Sequence, residues 1–154
     1  MKLDANLVLS ALRDAAITPI SVGEESKVGF VVRVDLADAV ATLATLRGAD
    51  LGLDTLLDTF GRDTGEEIEV TYHLRASQGS ADVYVRTSLA YGAILPSAFD
   101  VYPSCYMPER ELCELYGLML TGHPNPKRLL TTEGMLPLLR KTTPTRSRED
   151  LWTE

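Results

Sequence analysis

Apolar residues recur at helical spacing in two early stretches of the chain. From Asn6 to Ala16, Leu7, Leu9, Leu12 and Ala16 form one stripe with Ala11 and Ala15, and Asp4 stands where it can cap the first turn. Pro19 marks the latest end of that helix, because the residue before a proline avoids the helical region. From Asp38 to Arg47 the apolar set is Ala39, Val40, Leu43, Ala44 and Leu46, with Asp38 at the N-terminus and Gly48 as the stop. Elsewhere the pattern alternates. Ile17–Val22 and Val28–Val34 read as strands around a Gly23–Ser26 turn, with Val28, Phe30, Val32 and Val34 on one face. Ile68–Leu74 and Asp82–Leu89 alternate again, joined through Gln78, Gly79 and Ser80 as a second hairpin. Leu51–Phe60 is open between helix and strand, since Leu53, Leu56, Leu57 and Phe60 fit either. The order helix, two strands, helix, two or three strands predicts a two-layer α+β domain with a mostly antiparallel or mixed sheet.

After Leu95 the pattern breaks. Seven of the eight prolines lie there, so regular structure is short and the path is set by rigid turns. One helix is expected at Pro108–Tyr116, with Pro108 at its first position and Glu109 and Glu111 in its first turn. Leu112, Leu115, Tyr116 and Met119 would form its apolar face, and Gly117 its left-handed stop. Residues 1–95 thus read as an α+β core, and 96–154 as a C-terminal segment packed on it and on a partner, the whole being a single domain.

A chain of 154 residues and 45% hydrophobic content can bury a substantial core without a disulfide or metal. Its net charge of −7 argues against a nucleic-acid binder held by phosphate contacts. The charge is segregated. Between Asp35 and Val70 nine acids meet only Arg47 and Arg62, whereas between His123 and Arg148 six bases meet only Glu133. Such a two-signed chain suits a protein partner. Cys105 and Cys113 lack metal-site or redox spacing and are expected to be buried free thiols. The N-terminus does not read as a signal peptide, and no apolar run approaches the ~20 residues that span a bilayer. A cytosolic location follows, with membrane contact only through a partner.

No phosphate loop or dinucleotide fingerprint is present, and two cysteines are too few for an iron–sulfur cluster. His73 lies mid-strand and reads as a sheet residue. His123 sits in the rigid Gly122-His123-Pro124 loop, with Glu109, Glu111 and Glu114 nearby in sequence. It could serve a stand-alone enzyme as an acid–base or metal-binding group paired with a glutamate, or simply hold its loop by hydrogen bonds.

Several short elements follow one another in order: Pro96-Ser97, Tyr102-Pro103, Glu109-Arg110-Glu111, Glu114-Leu115-Tyr116-Gly117, Gly122-His123-Pro124, Arg128-Leu129-Leu130 and Pro137-Leu138-Leu139-Arg140-Lys141, then Pro144. Each is weak alone. Together they resemble the 30-kilodalton-type subunit of NADH:quinone oxidoreductase (respiratory complex I), its C-type component. The same domain is found in membrane-bound hydrogenases and formate hydrogenlyase-type complexes. Tyr72-His73-Leu74 is similar to a strand of that family. The chain departs from the family pattern in having Glu114 for the usual aspartate, Thr142 for an acid after Arg140-Lys141, and Leu139 as an extra apolar residue.

The resemblance implies a non-catalytic peripheral-arm subunit. It would scaffold the large, hydrogenase-like D-type subunit of the quinone chamber and support electron transfer from NADH to quinone. It implies no cofactor in this chain, with flavin and iron–sulfur clusters confined to partner subunits, and a peripheral place on the cytoplasmic face of the cell membrane. The equivalent subunit of a hydrogenase-type complex is the alternative. On this reading Arg110, Arg128, Arg140 and Lys141 are expected to make charge-assisted hydrogen bonds, either to the partner or to Glu109, Glu111 and Glu114. Gly117 and Gly122 would permit the tight path and Pro124 would fix it, with His123 and Leu130 completing the motif set.

Overall fold

The computed structural model describes residues 3–26, 29–77 and 82–145. Helix α1 (Ala5–Asp14) begins where the Asp4 carboxylate accepts the Leu7 N–H at 2.9 Å, and buries Val8 and Leu12. Strands β1 (Ser21–Ser26) and β2 (Gly29–Arg33) pair antiparallel, and helix α2 (Ala39–Gly48) follows a single 3-10 turn. Strands β3 (Thr55–Asp63), β4 (Ile68–Arg75) and β5 (Asp82–Leu89) follow, with β4 between the other two and antiparallel to both. Strand β5 returns beside β2 in parallel, giving the sheet order β1-β2-β5-β4-β3. The sheet is therefore mixed and the fold is two-layer α+β, as the element order predicts.

Alternation decides which face is covered. Phe30 and Val32 of β2, Ile68, Val70, Tyr72 and Leu74 of β4, and Val83, Val85 and Leu89 of β5 all point into one core with Leu12, Leu43 and Leu46 of the helices. Those three leucines are fully buried, and burial of each stabilises the fold by roughly 1.5–3 kcal/mol.

The first strand begins at Ser21, not Ile17, and the turn expected after it is also corrected. Gly23–Ser26 is not a turn: β1 runs through it to Ser26, with an irregularity between Glu24 and Ser26. Backbone pairing to β2 overrides the polar composition there, which an edge strand tolerates because one side meets solvent. The stretch 51–60, open between helix and strand, resolves into a lead-in at 51–54 and the start of β3 at Thr55. Leu53 and Leu56 enter the core while Leu57 and Phe60 stay exposed, because the register shifts between Leu56 and Asp58. That bulge, which adds one residue to a strand, is what made the apolar spacing look helical. The expected connection through Gln78, Gly79 and Ser80, and Val28, lie outside the described residues.

The C-terminal segment begins with β6 (Ile94–Pro96), which pairs in parallel with β7 (Met119–Thr121) and so brackets helix α3 (Tyr106–Tyr116). Helix α3 starts two residues earlier than expected. Pro103 opens the preceding 3-10 turn, and Pro108 is the third helical residue, where its missing N–H still costs nothing. Met119 belongs to β7 and is exposed rather than on the helix face. Helix α3 packs on β3 on the same side of the sheet as α1 and α2. Gly61 permits this, because an added Cβ would lie 2.7 Å from the Tyr116 ring. Cys105 and Cys113 are buried free thiols, as expected, and burial pushes the Cys113 thiol up to about 12. Among the described residues no helix is long and apolar enough to cross a membrane.

Candidate functional site: a clamped C-terminal segment

The motif residues converge on α3, and they divide between its two sides. Glu109 is completely buried. Its carboxylate accepts the Ser97 hydroxyl at 2.5 Å, the Ala98 N–H at 2.8 Å and the Tyr72 hydroxyl at 3.3 Å. With three donors on one carboxylate, Glu109 ties the loop after β6 and the centre of β4 to the helix. Burial, followed by the neighbouring Glu109 charge, pushes the Tyr72 hydroxyl far above its usual range.

The opposite side of α3 holds the backbone of residues 127–141. Arg110 donates from Nε to the Lys127 carbonyl at 2.9 Å and from Nη2 to the Arg128 carbonyl at 3.0 Å. One helical turn on, the Glu114 carboxylate accepts the N–H groups of Leu129 at 2.6 Å, of Leu130 at 3.1 Å and of Thr131. Partial burial alone would raise this carboxyl, but the Thr131, Leu129 and Leu130 donors outweigh it and hold it down to about 2. Gly117 ends the helix at φ +67°. Arg140 then fills the helix end, donating to the carbonyls of Tyr116 at 2.6 Å and Gly117 at 2.9 Å while lying over the Tyr91 ring. A guanidinium there satisfies orphan carbonyls and complements the helix dipole. The Leu139 N–H adds a bond to the Leu115 carbonyl at 3.0 Å.

Asp63, at the end of β3, closes the clamp. It accepts the Lys141 N–H at 2.7 Å, the Gly65 N–H at 2.7 Å and the Tyr91 hydroxyl at 2.6 Å, and the Tyr91 bond leads in lowering its carboxyl. The Lys141 ammonium reaches the Thr64 carbonyl at 3.2 Å. Arg128 works within its own turn, donating to the Thr131 hydroxyl and to the Thr132 and Met135 carbonyls.

The expected arginine–glutamate pairs are thus corrected. Among the described residues, Arg110, Arg128, Arg140 and Lys141 bind backbone carbonyls, while Glu109 and Glu114 bind backbone N–H and hydroxyl groups. Glu111 is exposed and takes no part. Backbone groups are obligatory donors and acceptors, so a chain with little regular structure must find partners for them, and here side chains supply them. Asp63 and Tyr91 belong to the clamp but were not anticipated. Their separation from residue 141 in sequence conceals the contact, and only the acidic end of an alternating strand hinted at it.

His123 is buried, and its Nε2 bonds the Tyr106 carbonyl at 2.9 Å while Nδ1 accepts the Asn125 N–H at 3.0 Å. Phe99 and Tyr106 pack around the ring. Both nitrogens are engaged in holding the loop, and among the described residues no glutamate bonds the ring, so the catalytic pairing finds no geometric support. Gly122 takes φ +75°, and Pro124 follows exposed on the loop. Nor does any group of three His, Cys, Asp or Glu among the described residues come together as a metal site.

What the clamp displays is apolar. Leu130, Met135, Leu136, Leu138 and Leu139 are between 41% and 62% exposed, and Met119 stands out at 55%. Beneath them, Arg110, Cys113, Glu114, Leu118, Leu120 and Arg128 line a cleft of about 510 Å³. Fold and site together define an α+β domain that folds its C-terminal segment back over one helix and holds it there by side-chain-to-backbone bonds.

Comparison with known proteins places that class in a family. Residues 32–149 match "Respiratory-chain NADH dehydrogenase, 30 Kd subunit", and the chain belongs to this family. It is 34% identical over 113 residues to the C-type subunit of NADH-quinone oxidoreductase from Roseobacter denitrificans, covering 73% of this chain and 56% of that protein. The corresponding protein of Sinorhizobium medicae is 28% identical over 134 residues, covering 84% and 66% respectively. That of Rhodopseudomonas palustris is 38% identical over 80 residues, 52% of this chain and 38% of that protein. The chain thus spans about half the length of the curated relatives it matches first. A chain in the structure of the membrane-bound sulfane sulfur reductase, an archaeal respiratory membrane complex, shares the fold with a TM-score of 0.66. It is 21% identical, and the match covers 77% of this chain and 70% of that one.

Proposed function

We propose that this chain is a non-catalytic scaffold subunit of an NADH:quinone oxidoreductase-type complex, and that its clamped segment is the surface on which the large, hydrogenase-like subunit docks. The observation that carries this is the reversal along residues 127–141. Much of the segment's backbone is bonded to side chains of the body while its leucines face outward, so the chain presents apolar area at a reduced further cost in backbone ordering. Contiguous apolar patches of this kind mark interaction sites. The family's description, a subunit of a respiratory dehydrogenase, supports an assembly in which such a surface is covered.

On this reading the chain carries no flavin, cluster or nucleotide of its own, and electrons pass from NADH to quinone through cofactors in its partners, iron–sulfur subunits included. It sits peripherally on the cytoplasmic face of the membrane, reaching it only through those partners. Residues 1–95 and 96–154 act as one unit, since the Glu109–Tyr72 and Asp63–Lys141 bonds join them.

The test is a titration of the purified chain against the large subunit, wild type beside Leu130→Ser, Leu136→Ser and Leu139→Ser combined. Affinity should fall by on the order of tenfold or more, as expected when central apolar contacts are lost, with the melting temperature of the chain unchanged. Undiminished affinity would remove the segment from the interface. Stoichiometric iron or flavin in the isolated chain would contradict the scaffold role.

A further inference from the structure

The two sheets treat their edges differently. Strand β3 forms one edge of the five-stranded sheet, and side chains take backbone groups along it. The Gly61 carbonyl accepts the Tyr116 hydroxyl at 2.8 Å, and the Leu56 carbonyl accepts the Ser104 hydroxyl at 3.3 Å. The Thr59 N–H donates to the Asp58 carboxylate at 2.8 Å. Strand β1, the other edge, is broken by the irregularity between Glu24 and Ser26. Covering an edge and bulging it are both ways to keep it from pairing with another chain.

Strand β7 has neither protection. Among the described residues its sheet has two strands, so one edge of β7 meets β6 and the other meets no strand. The Met119 N–H donates to the Ala93 carbonyl, and the Thr121 carbonyl accepts the Ser97 N–H, both at 2.9 Å. Met119 and Thr121 therefore turn their backbone groups toward β6. The N–H and C=O of Leu120, between them, turn to the outer edge. Among the described residues neither Leu120 group has a hydrogen-bond partner. The cleft of about 510 Å³ under the outward leucines is walled in part by Leu118, Met119 and Leu120. Pro126 and Pro137, which also line it, have no N–H to offer a strand edge.

A donor and an acceptor side by side on one strand residue are complementary to the main chain of another strand. We propose that an extended segment of the large partner subunit enters this cleft and adds to the outer edge of β7, pairing with the Leu120 N–H and C=O. This rests on the reading that the clamped segment docks that subunit, and it names the element that the partner brings. Met119, 55% exposed on the same strand, carries the apolar surface of the segment onto β7. One donor and one acceptor supply little affinity by themselves. They set the register of the incoming strand, while the leucines supply area.

The experiment compares amide hydrogen exchange at Leu120 in the isolated chain and in the assembled complex, and titrates Leu120→Pro and Leu120→Ala chains against the large subunit. In the free chain the Leu120 amide should exchange faster than that of Met119, which is bonded to β6, and assembly should slow it. Proline is tolerated on a strand edge where the N–H faces outward, and there it removes the donor. Alanine shortens the side chain and keeps the donor. Leu120→Pro should therefore bind the large subunit about tenfold more weakly than Leu120→Ala, the scale of one hydrogen bond. Equal affinities of the two variants would overturn strand pairing. Slower exchange at residues 129–141 on assembly, with no change at Leu120, would overturn this proposal and leave the clamped segment's role standing. Slower exchange at Leu120 alone would keep the added strand and withdraw the segment's leucines from the interface. A Leu120 amide already slow in the isolated chain would give the edge to this chain itself, or to a second copy where the slowing grows with concentration, and would overturn the partner.

Discussion

Leucines serve opposite ends in the two regions of this molecule. In the body, Leu12, Leu43, Leu46 and Leu74 have no exposed surface, and polar groups are mostly excluded from around them. Along residues 127–141, Leu130, Leu136, Leu138 and Leu139 face outward and the inward contacts are polar, made by Arg110, Glu114, Arg140 and Asp63. The body is held by burial, which is non-directional and tolerates some repacking. The segment is held by aimed hydrogen bonds, which fix a path while leaving its side chains available. A chain that must offer apolar surface to a partner and still fold alone can separate the two tasks in this way.

Substitutions in each region probe that contrast. Leu46→Ala in the body should cost about 2–5 kcal/mol through the cavity it leaves, and a urea melt should show the whole chain losing stability. Gly117→Val should come next, at about 1–3 kcal/mol for a strained backbone position. The residue sits at φ +67°, and an added Cβ would collide with the Pro137 ring and lie 2.9 Å from the Arg140 guanidinium. Its loss should appear as release of residues 137–141 in hydrogen exchange, and a uniform loss across the sheet would contradict the clamp.

Glu114→Gln should be smaller again, on the order of 1 kcal/mol for partly exposed hydrogen bonds, and confined to Leu129, Leu130 and Thr131. The same bonds set a pH dependence. The Glu114 carboxyl is lowered from an ordinary value of 4.5 to about 2, so its contribution is complete above 4.5 and is lost as pH falls toward 2. Asp63 shifts in the same direction. Asp82, held down to about 2 by Arg75, loosens the sheet over a similar range, so amide-resolved exchange between about pH 5 and 2 is needed to separate the regions. Opening at residues 129–131 should disappear as a titrating event in Glu114→Gln. The smallest effect on stability is expected for Leu136→Ser, within about 0.5 kcal/mol as for surface changes generally, even though it removes area from the proposed docking surface. A large drop in melting temperature would show that Leu136 is part of the core after all.

The body was legible because period and burial agree there: Ile68, Val70, Tyr72 and Leu74 alternate and are buried together. The β3 register was not, since a bulge at Leu57 shifts the apolar positions out of phase with any single period. In the C-terminal segment the motif residues were legible but their partners were not. Arginines and glutamates invite pairing with one another. What decides here is the demand of unpaired backbone along residues 127–141, and sequence spacing does not display that demand. Arg140 illustrates the correction: its guanidinium caps α3, so Arg140→Ala acts on the segment's position before it acts on any partner.

Whether the clamp forms before docking is answered by amide hydrogen exchange on residues 127–141, first in the isolated chain and then in the assembled complex. Measurable protection is expected at Leu129, Leu130, Thr131, Leu139 and Lys141 in the free chain, and deeper protection on assembly. Full exchange in the free chain would mean that the partner orders the segment, and unchanged protection on assembly would mean that nothing docks there.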